Sequence, residues 1–409
     1  MSRLKILIVH NKYRQRGGED GVVETETLLL RDFGDEVSQY FETNDAVKTL
    51  SFFQAAAGLI WSFRSQRELA ALIRRIRPDV VHFHNVFYRV SPAAFWVCRR
   101  MGVPAVQTLH NFRVGCLNGR LSRNGAPCER CLTFPLWFAP GVYGHCFQDS
   151  TFRSLALAGS LAIHRVLRSY SGAVTRFIAL SQFARDKHVL SGIPAERIVV
   201  KPNSAYPDPG LGNGEGDFAL FAGRLEVDKG VRVLLEAAAA MGGRVQVCIA
   251  GDGALAGEVR HAAATIKGLS YLGPLPRAQV IDLMKTARLF LFPSLAYENF
   301  PLTLAEAFGV GLPAIVSRRG AAQEIVEDWV TGLHFDPGSA ADLAQKTEAL
   351  WNDNATLAKM RAAARAKYEM SYSGEAAYKA LRAIYEQAID CNRADAERGA
   401  VRAGTRDIA

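Results

Sequence analysis

Ten apolar runs of strand length, separated by helical patterns, constrain this chain more than any other feature. Five come early: KILIVH (5–10), DVVHFH (79–84), AVQTLH (105–110), RFIALS (176–181) and RIVVKPN (197–203). Five more follow: FALFAG (218–223), VQVCIAG (245–251), LSYLG (269–273), LFLFPS (289–294) and AIVSRR (314–319). Near-continuous hydrophobicity marks strands buried on both faces, and helical crossovers between them make a parallel sheet. Between the two series lies PNSAYPDPGLGNGEGD (202–217), whose three prolines and four glycines read as a linker. A chain of 409 residues is also too long for one ordinary core. The expectation is two facing, Rossmann-like, doubly wound α/β domains, residues 1–201 and 218–375, with a cleft between them. AAYKALRAIYEQAID predicts a separate C-terminal helix (376–390), and 391–409 reads as a polar, disordered tail.

No run approaches the roughly 20 apolar residues of a membrane-spanning helix. The N-terminus, MSRLKILIVHNKYR, has no small-residue cleavage site and reads as a first buried strand. Seven cysteines, an odd number, suit a reducing cytoplasm. The formal charge of +9 is uneven: residues 51–200 hold 19 Lys/Arg against 6 Asp/Glu, whereas 201–409 hold 23 against 25. Such a basic half suggests nucleic acid or an anionic membrane as partner. Aromatic residues are not interleaved with the basic ones in a nucleic-acid-reading pattern, so no nucleic-acid partner is expected.

In a parallel α/β sheet, ligands bind beyond the C-terminal ends of the strands. Glu298 stands in the loop that follows LFLFPS. Pro301 then opens a helix, placing the backbone N–H groups of Leu302 and Thr303 and the positive dipole end at that edge. Glu306, about one turn further on, can accept two hydrogen bonds from a ribose diol. After FALFAG, GRLEVDKG brings Arg224 and Lys229 to the same edge, a guanidinium and an ammonium suited to a diphosphate. The bland alternative is two solvated glutamates and two surface cations. GDGALAG (251–257) also fits a dinucleotide fingerprint, but no acidic residue closes a strand about 20 positions on.

GRLEVDKG, IAGDG and PSLAYENFPLTLAEAFGVGLPAIVSRRGAAQEIV together resemble the donor half of glycosyltransferase family 4, and the resemblance runs over residues 4–375. It implies a GT-B fold and a retaining, nucleotide-sugar-dependent hexosyltransferase. It assigns the donor diphosphate to Arg224 and Lys229, the ribose to Glu306 and the transferred sugar to Glu298. The family's Gly-Phe-Gly after the first glutamate is replaced here by Asn299-Phe300-Pro301. Asn299 and Phe300 keep donor-binding positions, but Pro301 has no N–H to offer sugar or phosphate.

On the first sheet, Gly17-Gly18 allow close backbone approach where a helix begins. The resemblance makes Gly18 a donor-phosphate contact and His110 the catalytic-site histidine. His84 and Asn85, at the end of the preceding strand, are expected nearer the acceptor. Arg224, Lys229 and helix N-termini can neutralise the diphosphate, so no cofactor is expected for catalysis. The departing phosphate can take the acceptor's proton, with Glu298 positioning the sugar.

Cys116, Cys128, Cys131 and Cys146 fall within a cysteine-rich loop (111–148). Cys-x₂-Cys flanked by one cysteine on each side fits a structural zinc knuckle, or simply reduced thiols. SFFQAAAGLIWSFRSQRELAALIRRIRP (51–78) sets Phe52, Phe53, Leu59, Ile60, Trp61 and Phe63 ahead of Arg64, Arg67, Arg74, Arg75 and Arg77. A basic helix with an aromatic face can lie on a bilayer, and a core-facing helix fits the same periodicity. Together with FPLWFAPGVYG, it points to a peripheral enzyme on the inner face of the cell membrane and a lipid-linked glycan acceptor. A small soluble acceptor is the enzymatic alternative.

Overall fold

The computed structural model describes residues 3–13, 17–44, 52–133 and 136–404. The chain forms two compact units. One comprises the chain up to Gly119, Glu129–Lys201 and everything from Tyr378 onward; the other comprises Arg120–Cys128 and Pro202–Ala377.

The N-terminal unit is built on β1 (Lys5–Lys12), β2 (Glu36–Thr43), β3 (Val80–Phe83) and β4 (Ala105–Leu109). A two-stranded hairpin, β5 (Ser122–Arg123) and β6 (Ala126–Pro127), follows in sequence but belongs to the other unit. β7 (Arg176–Ala179) and β8 (Ile198–Val200) complete the first sheet, ordered β2-β1-β3-β4-β7-β8 and parallel throughout. The second sheet holds β9 (Ala219–Ala222), β10 (Val247–Ala250), β11 (Leu269–Gly273), β12 (Leu289–Phe292), β13 (Ala314–Ser317) and β14 (Gly332–Phe335). Its order is β11-β10-β9-β12-β13-β14, again all parallel. Its strand residues, such as Leu289, Leu291, Ile249 and Ile315, form one core with the helices that cover the sheet. In both sheets the order reverses next to the first strand, which opens a crevice at the C-terminal strand ends.

All ten predicted strands are present; the β5–β6 hairpin is an addition, and so, within the two parallel sheets, are β2 and β14. Each is an edge strand paired on one side only. β2 reads EVSQYFET and is only partly buried, so it lacks the two-sided hydrophobic signature.

The linker assignment needs correction. Residues 202–217 are irregular, yet they are tied down on the C-terminal unit. Gly212, Gly214 and Gly216 donate backbone bonds to Val310, Lys285 and Thr286. A Cβ on Gly212 would lie 2.2 Å from the Lys285 carbonyl oxygen, so the segment docks because glycine lets two backbones meet.

The C-terminal reading is also corrected. One helix runs from Gly374 to Gly404, through most of the supposed tail, and residues 405–409 lie outside the described residues. From Tyr378 it belongs to the N-terminal unit. Arg382, 2 % exposed, pairs with Asp35 at 2.8 Å, and Tyr385 bonds His82 at 2.8 Å.

The proposed amphipathic stretch 51–78 forms two helices, Phe52–Ile60 and Phe63–Ile76, broken at Trp61–Ser62 where Ser62 caps the second. Its apolar residues do not form one outward face. Leu59 joins a core cluster with Leu157 and Leu161, and Trp61 stacks on His164 at 6.4 Å. Phe63 is exposed, as are Arg74, Arg75 and Arg77, while the side chains of Phe52 and Phe53 lie outside the described residues. Leu59 and Ile60 are tied inward, where Ser160 and His164 bond their carbonyls.

Candidate functional site

In the C-terminal unit, loops from the ends of β9, β12 and β13 are stitched into one edge. Asp228 O accepts from Leu295 N (2.8 Å) and Ala296 N (3.1 Å). Gly230, at φ 71°, lies so close to Pro293 that a Cβ would meet its carbonyl oxygen at 1.9 Å. Ser317 Oγ donates to Ser294 O, and Arg319 Nη1 to Leu295 O, each at 2.7 Å.

This scaffold brings Lys229 Nζ to 2.6 Å from Glu298 Oε1, which also accepts from Ser294 Oγ at 2.8 Å. Burial works to raise the Glu298 carboxyl, but Lys229, Ser294 and Arg224 prevail and hold it below its ordinary value. Arg224 is exposed and pairs with Glu226 at 2.9 Å. Leu302–Gly309 is a helix that begins just after Pro301, and Leu302 and Thr303 occupy its first turn without a side-chain cap. Glu306 is 5 % exposed and bonded by Arg277 Nε at 2.6 Å. Burial raises the Glu306 carboxyl, against the pull of Arg277.

Arg224, Lys229, Glu298, Asn299, Leu302, Thr303 and Glu306 therefore share the C-terminal edge of one sheet. Phe300 is different. Its ring is buried edge-on against Tyr372 at 5.5 Å, so its side chain packs the loop. Sequence reading missed Arg277, the first residue of the helix after β11, although its place beyond a strand end was visible. It also missed Arg120, which reaches Asp228 at 3.6 Å beside the Lys229 turn.

The N-terminal unit gathers histidines at the corresponding edge of its own sheet. His84 Nδ1 and His110 Nε2 are 2.8 Å apart with their rings stacked. His82 bonds Thr108 and Tyr385, each at 2.8 Å. Glu26 lies 3.2 Å from His82 and 3.9 Å from His84, and its other oxygen meets Lys201 Nζ at 3.1 Å. Both Glu26 and Lys201 are buried. His10 pairs with Asp20 at 2.8 Å. Burial pushes His84 well below the ordinary histidine range and His110 down to about 3, so both are neutral at pH 7.

His110 is half-buried at its strand end, but His84 and Asn85 do not offer themselves to an acceptor. His84 is inside the network. Asn85 spends its amide on the backbone, donating to Asn11 O (2.8 Å) and accepting from Phe87 N (2.9 Å). Gly18 begins the helix Gly18–Asp32 with nothing within 4 Å of an added Cβ. Beside it stands Glu19, missed by sequence reading, which accepts from Tyr13 OH at 2.9 Å and is raised by burial to about 7.

Among the described residues, Cys116, Cys128, Cys131 and Cys146 do not form a group of three or more ligands close enough to share one metal ion. Cys116 Sγ donates to Asn118 Oδ1 at 3.0 Å. Among the described residues, the group of three or more potential metal ligands is Glu26, His82 and His84, with no cysteine in it. The Lys201 ammonium on Glu26 makes that group an ion-pair network and a poor cation site.

These titrations predict acid lability. In the N-terminal unit five histidines, His10, His84, His110, His164 and His188, sit below their ordinary value, chiefly by burial. The unfolded chain takes up their protons first, so stability falls as pH drops below about 6.5. The limiting cost is about 1.4 kcal/mol per pH unit for each group. Glu19, raised to about 7, opposes this as a single group between its two values. Urea unfolding at pH 7.5 and 5.5 checks the sum: a clear loss is expected at 5.5, and equal stability would rule out the neutral cluster.

The Glycosyl transferase 4-like domain model matches residues 28–204, and the Glycosyl transferases group 1 model matches residues 206–367. The chain is 27% identical over 220 residues to the phosphatidylinositol N-acetylglucosaminyltransferase gpi3 subunit of Schizosaccharomyces pombe, covering 51% of this chain and 48% of that protein. It is 29% identical over 226 residues to the amylovoran biosynthesis glycosyltransferase AmsK of Erwinia amylovora, covering 51% and 56%. The chain thus spans about half the length of the curated relatives it matches. Its fold is that of Anabaena Alr3699/HepE, solved in complex with UDP, with TM-score 0.64, 17% identity, and 94% and 100% of the two chains covered.

Proposed function

Since the chain belongs to glycosyltransferase family 4 and has its GT-B fold, we propose that it moves a hexose, with retention, from a GDP- or UDP-sugar to a lipid-linked glycan acceptor. The observation that carries this reading is the Lys229–Glu298 pair at 2.6 Å, on the same sheet edge as the buried Glu306. A donor diphosphate would compete with Glu298 for the Lys229 ammonium, and Arg224 is exposed enough to close on it. The backbone N–H groups of Leu302 and Thr303 add a dipole end to the same charge. Glu306, already ordered by Arg277, would accept the ribose hydroxyls. As the sugar–phosphate bond breaks, the sugar gains oxocarbenium character, and the ionised Glu298 stabilises it while the departing phosphate takes the acceptor's proton. His110, neutral and half-buried at the end of its own strand, can donate or accept a hydrogen bond. The names of the gpi3 and AmsK relatives, one with phosphatidylinositol and one with amylovoran as its object, support an acceptor in glycolipid or polysaccharide synthesis.

Titration with UDP- and GDP-sugars in EDTA, read by thermal stabilisation and donor hydrolysis, tests the donor site. One nucleotide series should bind and turn over with chelator present, because the neutralising charges belong to side chains. Glu306→Ala and Arg224→Ala should each weaken that binding by about tenfold or more. Unchanged affinity in both variants would remove the assignment.

A further inference from the structure

The helix Thr151–Val166 is apolar on both sides. Leu157, Ala158 and Leu161 face the core, while Phe152, Leu155, Ile163 and Val166 are exposed in a row at helical spacing. Val166 is 74% exposed. Leu136, at 73%, and Tyr143, at 81%, stand on the segment packed beside this helix. Single exposed apolar residues are ordinary, but a contiguous row of this length marks a contact surface. Among the described residues no helix is long and apolar enough to cross a membrane, so any contact with lipid here lies on the surface.

Charge identifies the partner. From Ser150 to Arg185 the sequence has five arginines and no Asp or Glu. Arg153, Arg165 and Arg168 border the apolar row, are exposed, and form no ion pair among the described residues. A small pocket at the end of the helix is lined by Arg165, Arg168, Tyr170 and Ser171 together with Phe138, Leu161 and Ile193. An apolar strip rimmed by guanidinium groups without carboxylate partners fits a phospholipid monolayer: acyl chains meet the row, and phosphates meet the arginines.

We propose that the outer face of Thr151–Val166, with Leu136 and Tyr143, is the surface on which this protein rests on an anionic membrane. This rests on the lipid-linked acceptor read above, and it moves the contact away from the stretch 51–78.

Cosedimentation with vesicles of phosphatidylcholine, with and without phosphatidylglycerol, tests it. Wild type should sediment with the anionic vesicles and be released by salt. L155S/I163S/V166S should lose more than tenfold in partition while keeping its thermal midpoint, since these side chains are exposed. Each of Arg153→Gln, Arg165→Gln and Arg168→Gln should cost about fivefold. If the triple serine variant binds as wild type does, and replacing Arg74, Arg75 and Arg77 by Gln abolishes binding, the surface is wrong and the membrane reading survives. If wild type ignores anionic vesicles, both fall. A wild-type dimer that the triple variant converts to monomer would then assign the face to a second copy of the chain.

Discussion

Lys229→Ala is expected to lower kcat/KM for the nucleotide sugar by about two to three orders of magnitude, roughly 3–4 kcal/mol of transition-state stabilisation. Two losses combine. The diphosphate loses an ammonium fixed by the turn that Gly230 closes against Pro293. Glu298, most of it out of solvent, also loses the partner 2.6 Å away that keeps it ionised. Arg224→Ala should cost less, because that side chain is more than half exposed and already shared with Glu226. Steady-state kinetics on both variants, with thermal midpoints as a control for folding, make the comparison. A Lys229→Ala enzyme within about threefold of wild type would mean that the pair is structural and that the diphosphate binds elsewhere.

Glu26→Ala should destabilise the N-terminal unit by about 3–5 kcal/mol, because Lys201, 3% exposed, is left as an uncompensated buried charge. Glu26 is held well below the carboxylate range: burial opposes ionisation, but Lys201, His82 and His84 overcome it. Its contribution is therefore present at neutral pH and lost as pH falls through the acid range. The double variant E26L/K201M should recover most of the loss, since an apolar pair of similar volume needs no compensation. Urea unfolding followed by intrinsic fluorescence distinguishes the cases. A single variant within about 1 kcal/mol of wild type would show that water reaches the pair.

The sequence by itself determined ten of the twelve strands of the two parallel sheets and the edge on which Glu298 and Glu306 lie. Each of these is a local pattern: an apolar run, the loop after it, and a helix start marked by Pro301. It also placed Arg224 and Lys229 there, because so short a loop cannot leave the strand end that bears it. Tertiary structure decided the rest. The edge strands β2 and β14 pair on one side, and neither EVSQYFET nor the four residues GLHF carries a strong strand signature. His84 and Asn85 were legible as strand-end polar residues, but their burial depends on partners brought by other elements. Glu26 meets Lys201 across 175 positions, and His82 meets Tyr385 across 303. No periodicity in one segment encodes such a meeting. The same holds for the outer face of Thr151–Val166, whose sequence places apolar residues on two sides of the helix. Which side remained in solvent was settled when Leu59, Phe138 and Leu117 covered the other.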